Sequence, residues 1–366
     1  MSLCTRCVRD CFASHLPTRT LNLSVGVATT NRWRRVRKAG KAAVAALSLA
    51  TRRARPGDVL YMPANSAGGI RFNLWAARAA LARGLRVLLH HHVYYYLEKK
   101  DPQIARLDDM VTRSGGAHAF LCAGMEARFR EVYGSTAASL IVPSTILLGD
   151  EPPREEAAVR PAADHAEPFR IGYLSNLCYA KGTDFVGGLM DQLREQGRHV
   201  SLIVAGPAVD ADAEAWLEEL RARHGSRVDY RGPVYDQDKR RFFQDIDVFL
   251  LPSRSEAQPV VISEALAYGK PVIAFGRGCI PGLLGNNQGW SIPPDGDFVK
   301  TGCDLIVDWI QSPASYQHAQ RDSLARAREL RSEAQDALNR LVEWASSPPG
   351  PSRRACGATT SSPLPH

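Results

Sequence analysis

Short apolar runs rich in Val, Ile and Leu alternate along this chain with longer segments whose apolar positions recur at helical spacing, the signature of parallel βαβ units. In the first half, Asp58–Met62, Leu85–His90 and Ala119–Cys122 read as strands, and Arg71–Arg83 and Met125–Val132 as helices. The second half repeats the pattern more clearly. Strands are predicted at Phe169–Leu174, Val200–Ala205, Val228–Gly232, Val248–Leu251 and Pro271–Phe275. Helices fall between them at Asp184–Gln196, Asp212–Arg223, Gln237–Gln244 and Pro259–Tyr268, and Gly269 stands where a C-cap calls for positive φ. That order describes a doubly wound nucleotide-binding domain.

Segment 149–168 breaks the alternation. It holds Pro152, Pro153, Pro161 and Pro168 with several acids and no apolar period, and reads as an interdomain linker. The predicted organisation is an atypical segment over 1–30, a Rossmann-like domain over 31–148, the linker, and a second Rossmann-like domain over 169–312. A final helix over 313–345 and a Ser/Pro/Gly-rich tail over 346–366, expected to be disordered, complete it. A length of 366 residues suits two domains.

Composition narrows the class. With 45% hydrophobic and 23% charged residues the chain resembles an ordinary soluble protein. Its longest apolar run, Ala42–Ala50, is about half of the ~18–20 residues a membrane-spanning helix needs, and stands too far from Met1 to act as a secretory signal. Eight scattered Cys do not suit a disulfide scaffold, so a reducing cytoplasm is the expected compartment. Cys122, Cys178, Cys279 and Cys303 read as small core or loop residues. Cys4, Cys7 and Cys11, with His15 beyond, have some metal-ligand spacing but no distant second pair.

The net charge of +8 is localised. Residues 1–55 hold twelve basic side chains and one acid, Asp10, a local charge of +11 that leaves −3 for the rest. Asn31–Arg55 reads as a basic helix with Trp33, Val36 and Leu47 among its apolar positions. It is either a solvated domain face or a dock for an anionic membrane surface on the inner side of the bilayer. Nucleic acid is not an expected partner, since no aromatic interleaving, zinc finger or helix-turn-helix accompanies the charge.

The strongest chemical signal is Pro252-Ser-Arg-Ser-Glu256-Ala-Gln-Pro-Val260-Val-Ile-Ser-Glu264-Ala-Leu-Ala-Tyr-Gly269-Lys-Pro-Val. A strand ends at Leu251, a polar loop carries Glu256 to the carboxyl edge of the sheet, and Pro259 opens a helix. Glu264 lies five residues into that helix, on the order of 8 Å along its axis. First-turn amides from Val260 onward are donors at the positive end of the helix dipole, a site for phosphate. Two carboxylates and such amides describe a nucleotide-sugar pocket, although the residues alone equally permit an ordinary helix with one capping and one solvent-facing acid.

The Glu-x7-Glu spacing, with Pro-Ser before it and Glu-Ala-x-Ala-x-Gly-x-Pro-Val after it, resembles the donor-site motif of glycosyltransferase family 4, the retaining GT-B enzymes of the "glycosyl transferases group 1" type. Four further stretches match that family in order: Leu174 to Gly182, Ala205-Gly206-Pro207, Arg231-Gly232 with Asp245-Ile-Asp247, and Gly278-Cys-Ile-Pro281 with Gly289–Asp295. The resemblance covers residues 169–300. It implies an α/β GT-B fold, two Rossmann-like domains facing across a cleft.

Carried over residue by residue, the resemblance makes Lys181 a contact of the donor diphosphate, Glu264 the acid that holds the ribose hydroxyls, and Glu256 the acid beside the transferred sugar. Gly206, Val260 and Gly278 would line the donor site. Asn176 stands where the family has a phosphate-binding Arg, so an amide donor replaces a charge there. Dedicated metals and cofactors are not implied, because no Asp-x-Asp motif lies at a strand end.

The first half carries a weaker signal. Arg86-Val-Leu-Leu-His90-His-His92-Val-Tyr94-Tyr-Tyr96 gathers three His and three Tyr at a strand's carboxyl end. Family members place a His there, facing the donor sugar, and His92 is the candidate because it lies furthest into the loop. The same rings could be interface packing. They could also ligate a metal, although no Cys or carboxylate stands at ligand spacing beside them. Asn65-Ser-Ala-Gly-Gly69 could face the same cleft or be a surface turn. Residues 1–30 show no paired glycines after the Leu21–Ala28 run, so either the first βα unit is missing or the chain's start has replaced it.

The implied activity is transfer of a sugar from a nucleotide-diphosphate donor to a glycan or lipid-linked acceptor with retention, in polysaccharide or glycoconjugate biosynthesis. A non-catalytic nucleotide-sugar-binding protein and a nucleotide-sugar epimerase of the same fold are the alternatives.

Overall fold

The computed structural model describes residues 3–21, 40–41, 55–66, 69–148, 167–285 and 290–348. Strands β1 (Val59–Pro63), β2 (Arg86–His90), β3 (Ala117–Phe120) and β4 (Ala138–Ile141) form an all-parallel sheet in that spatial order. Helices α2 (Ile70–Ala82), α3 (Tyr95–Glu98), α4 (Pro102–Arg113) and α5 (Ala123–Tyr133) connect them, and α1 (Leu3–His15) lies ahead. Local chemistry sets the boundaries. At α4, Asp101 accepts from the Gln103 amide at 2.7 Å while Pro102 takes the first helical position, where an N–H would be unsatisfied anyway.

The second sheet contains β5 (Phe169–Leu174), β6 (Val200–Ala205), β7 (Val228–Tyr230), β8 (Val248–Leu251), β9 (Val272–Phe275) and β10 (Ser291–Ile292). Its order is β7-β6-β5-β8-β9-β10, the doubly wound arrangement anticipated from the alternation. β8 and β9 are buried along their whole length. Helices α6 (Thr183–Glu195), α7 (Ala211–His224), α8 (Asp236–Asp245), α9 (Val260–Ala267), α10 (Ile280–Leu284) and α11 (Phe298–Gln311) cover the two faces, which is why these strands read as unbroken apolar runs. Strand order reverses between β5 and β8, and the loops leaving their carboxyl ends frame the crevice where such folds bind ligands.

Helix α12 (Pro313–Ser346) spans 34 residues, about 50 Å at 1.5 Å per residue. Near its start the Tyr316 ring packs on Phe169 and its hydroxyl donates to the Asp247 carbonyl, inside the C-terminal core. Near its end Ala334 and Leu341 join Cys4, Val8 and Phe12 of α1 over Leu88, Ala117 and Ala119 of the N-terminal sheet. Arg86 donates to the carbonyls of Trp344 and Ala345 and stacks on the Trp344 ring. This helix therefore belongs to both domains.

Several expectations need correction. β3 begins at Ala117 and ends at Phe120, two residues before the predicted stop, and Leu121 and Cys122 turn into α5. The atypical first segment contains a regular helix, α1. Among the described residues no strand precedes Val59. The Leu21–Ala28 run beyond Leu21, the basic helix over 31–55 apart from 40–41 and Arg55, the linker to Ala166 and the tail from Gly350 lie outside the described residues, as does 349.

The cysteine expectation fails at one pair. Cys122, at the carboxyl edge of the N-terminal sheet, and Cys279, in the loop after β9, form a disulfide across the two domains. They are 157 residues apart, so no local spacing announces the contact.

Candidate active site

The crevice at the β5/β8 reversal opens into a cavity of about 1010 Å³. Two loops build it. The Arg254 amide donates to the Ala180 carbonyl at 3.0 Å, and the Tyr173 hydroxyl donates to the Lys181 carbonyl at 2.9 Å. Gly182 makes the approach possible: with φ of +80° it has no side chain, and a Cβ would stand 2.2 Å from the Pro252 carbonyl oxygen.

This approach brings Lys181 Nζ to 2.5 Å from Glu256 Oε1, with the Glu256 side chain only 13% exposed. On the cavity's other side Glu264, one turn into α9, pairs with Lys239 of α8 at 2.6 and 2.7 Å. Both acids of the Glu-x7-Glu motif thus face one cavity, each held by a lysine from another element. Asn176, exposed on the loop after β5, and Gly206 line the same space, as does Val260 at the start of α9. Pro259 at the N-cap supplies no side-chain cap to α9, and while Ile262 N–H donates to the Pro259 carbonyl at 3.2 Å, the Val260 and Val261 amides are left to a ligand. Gly206, at φ +119°, fits because a Cβ there would meet the Ser175 carbonyl oxygen at 1.7 Å.

Other predicted residues sit elsewhere. Gly278 supports the site from behind: Cys279 N–H donates to the Ala257 carbonyl at 2.7 Å, seating this loop on the Glu256 loop. His92 is not among the side chains lining the cavity. Its ring packs 4.0 Å from that of His90, and its Nε2 is buried without a hydrogen-bond partner. Asn65 is tied into a turn, its amide groups donating to Asn73 Oδ1 at 2.8 and 2.9 Å. Arg231 bridges to Asp245 at 2.6 Å and Asp247 accepts from the Arg170 amide, so those motif residues brace the sheet.

Sequence reading did not single out Lys239, nor Tyr235, 71% exposed at the cavity rim, nor Gln258. Lys239 is one charge on a strongly polar helix and carries no local signature. Gln258, two residues past Glu256, reaches the N-terminal domain: its Nε2 donates to the Leu121 carbonyl at 3.0 Å and its Oε1 accepts from the Ser144 amide. Arg254 is drawn away, bidentate on Asp184 and 3.7 Å above the Tyr179 ring.

Two Rossmann-like domains, with the candidate site at the reversal point of the second, define a GT-B protein. Residues 168–308, well under half of the chain, match the family model described as glycosyl transferases group 1. A glycogen synthase from Pseudomonas putida is 31% identical over 115 residues, covering 31% of this chain and 22% of the synthase. The amylovoran biosynthesis glycosyltransferase AmsK from Erwinia amylovora is 30% identical over 168 residues, 43% of this chain and 40% of AmsK. The chain thus matches these curated relatives over well under half of their length. Among solved structures, Anabaena Alr3699/HepE in complex with UDP superposes with a TM-score of 0.64 at 19% identity, covering 83% of this chain and 82% of that one. Among the described residues, no helix is long and apolar enough to cross a membrane.

Proposed function

We propose that the chain is a glycosyltransferase that binds a nucleotide-diphosphate sugar in the β5/β8 cavity and passes the sugar, with retention, to a hydroxyl of a glycan or lipid-linked acceptor. The observation that carries this reading is the convergence of Glu256–Lys181 and Glu264–Lys239 on one cavity at the strand reversal. Glu264 would accept hydrogen bonds from the ribose hydroxyls. Lys181, the Asn176 amide and the first-turn amides from Val260 would receive the diphosphate, whose charge grows as the anomeric C–O bond breaks. Glu256 would lie beside the transferred sugar. The step is routed through these residues and not through His92, which the cavity lining does not include, and it calls for no divalent ion at the diphosphate. The related structure with UDP supports a uridine nucleotide as the first donor to try. The basic segment 31–55 would hold an anionic membrane surface bearing the acceptor.

Calorimetric titration with UDP-, GDP- and ADP-sugars tests the donor site, followed by turnover with lipid-linked acceptors. One base should bind, and Glu264→Ala should weaken it at least tenfold, about 1.4 kcal/mol. Failure of every nucleotide would sink the reading. Binding without turnover would favour the non-catalytic alternative.

A further inference from the structure

One group of side chains outside the donor cavity has the chemistry of metal ligands. Helix α1 lays Cys4, 6% exposed, over the carboxyl end of β2. There the Cys4 thiol and one ring nitrogen each of His90 and His92 lie within 4.8 Å of one another. The thiol that sequence spacing did not place beside the three histidines arrives from the far end of the domain, while Cys7, Cys11 and His15 on the same helix take no part in the group.

Two features set this group apart from chance packing. The first is the buried, unpartnered Nε2 of His92. Leaving a buried polar nitrogen unsatisfied costs about 1–3 kcal/mol, which a ligand at that atom would remove. The second is the orientation of His90, which is fully buried. Its Nε2 lies 3.0 Å from the Val142 carbonyl, an acceptor that fixes Nε2 as the protonated nitrogen and leaves the lone pair on Nδ1. A backbone carbonyl holding the far N–H is the common outer support of a metal-binding imidazole. The Tyr61 hydroxyl stands 2.9 Å from that Nδ1.

We propose that Cys4, His90 and His92 form a zinc site, with water or the Tyr61 phenol oxygen as the fourth group. One thiolate and two imidazoles favour zinc over the oxygen-seeking Mg²⁺ and Ca²⁺. Bond lengths of about 2.0–2.3 Å put tetrahedral ligand atoms on the order of 3.5 Å apart, so the group closes onto an ion with shifts of about an ångström. As the Zn–S bond forms, the Cys4 S–H bond breaks and its proton passes to solvent. The imidazoles bind the ion as neutral rings and release none. The ion would pin α1 to the edge of β2. Because Leu3, next to Cys4, lines the donor cavity, the same ion would fix that part of the rim. This inference does not rest on the transferase reading.

The test is a cobalt titration of the chelator-treated full chain. A single Co²⁺ should bind with a thiolate-to-cobalt charge-transfer band that zinc abolishes, and zinc should raise the melting midpoint. Cys4→Ser should lose the band, Cys7→Ser should keep it, and His92→Gln should weaken cobalt binding at least tenfold. Absence of the band in the wild type, or its survival in Cys4→Ser, overturns the proposal. Should Cys4→Ser fail to fold, unchanged cobalt affinity in His92→Gln overturns it equally.

Discussion

Lys181 and Glu256 stand 2.5 Å apart on loops that leave adjacent strands, 75 residues apart in the chain. The contact makes the lysine do two things: it neutralises a half-buried acid, and it holds a cation where a diphosphate would arrive. Lys181→Ala should therefore lower kcat/KM by about 10–100-fold, the range for loss of a charge-assisted bond of about 1.5–3 kcal/mol. Steady-state kinetics with the donor varied would check this, and a change under threefold would remove Lys181 from the site.

Lys239 gives a prediction that the motif alone does not. It clamps both oxygens of Glu264, and without it the carboxylate loses its fixed orientation towards the cavity. Lys239→Ala should weaken nucleotide binding several-fold while leaving the melting midpoint nearly unchanged, since the pair is partly solvated. Isothermal titration beside a thermal melt separates the two effects.

A buried relay in the N-terminal domain predicts acid sensitivity. His118 Nε2 lies 3.0 Å from Asp108, so it is the protonated nitrogen; His118 Nδ1 then accepts from His91 Nε2 at 2.8 Å, and His91 Nδ1 from Tyr96 at 2.6 Å. Burial lowers both imidazole pKa values, and in His91 the neighbouring rings of His118, His90 and His92 lower it further. Below about pH 6.5 the unfolded chain takes up protons that the folded one refuses, so stability is full above that value and falls as pH drops, by up to about 1.4 kcal/mol per pH unit for each ring. Urea midpoints from pH 7 to 5 should fall accordingly, and His91→Gln should flatten the slope. A slope that His91→Gln leaves intact would show that the relay is not its source.

The Cys122–Cys279 bond closes a 157-residue loop and joins the N-terminal domain to the loop after β9, which is seated on the Glu256 loop through Cys279 N–H and the Ala257 carbonyl. In chain-entropy terms such a crosslink stabilises by up to about 5 kcal/mol. Reduction, or Cys122→Ser, should lower the melting midpoint and let the domains separate, seen as a larger radius of gyration in solution scattering. Identical scattering curves for oxidised and reduced protein would show that the bond does not restrain them.

How much of this was legible in the sequence depended on range. The C-terminal domain could be read because β5, β6, β8 and β9 are short apolar runs bounded by turn residues, and because the Glu256–Gly269 motif falls within one loop and helix. The end of β3 was misplaced since Leu121 and Cys122 continue its apolar run, and a strand buried on both faces has no period to mark where pairing stops. Lys239, Cys279 and Cys4 were invisible as partners for another reason. Each acts on a residue brought in by tertiary folding, Glu264, Cys122 and His90 respectively, over separations where no local pattern survives.

Helix α12 has a consequence for the order in which the chain can fold. The N-terminal sheet is synthesised first, yet part of the apolar cover over Leu88 and Ala119 is Ala334 and Leu341, and Arg86 finds its carbonyl acceptors at Trp344 and Ala345. At about 5–20 residues per second, more than ten seconds separate the emergence of Leu88 from that of Leu341. During that interval the C-terminal domain can complete itself while its elder neighbour waits on the ribosome with one face only partly covered, by α1. A protein truncated before residue 334 would keep its donor pocket and lose the lid of its first domain, making that exposed sheet the surface a chaperone would have to shield.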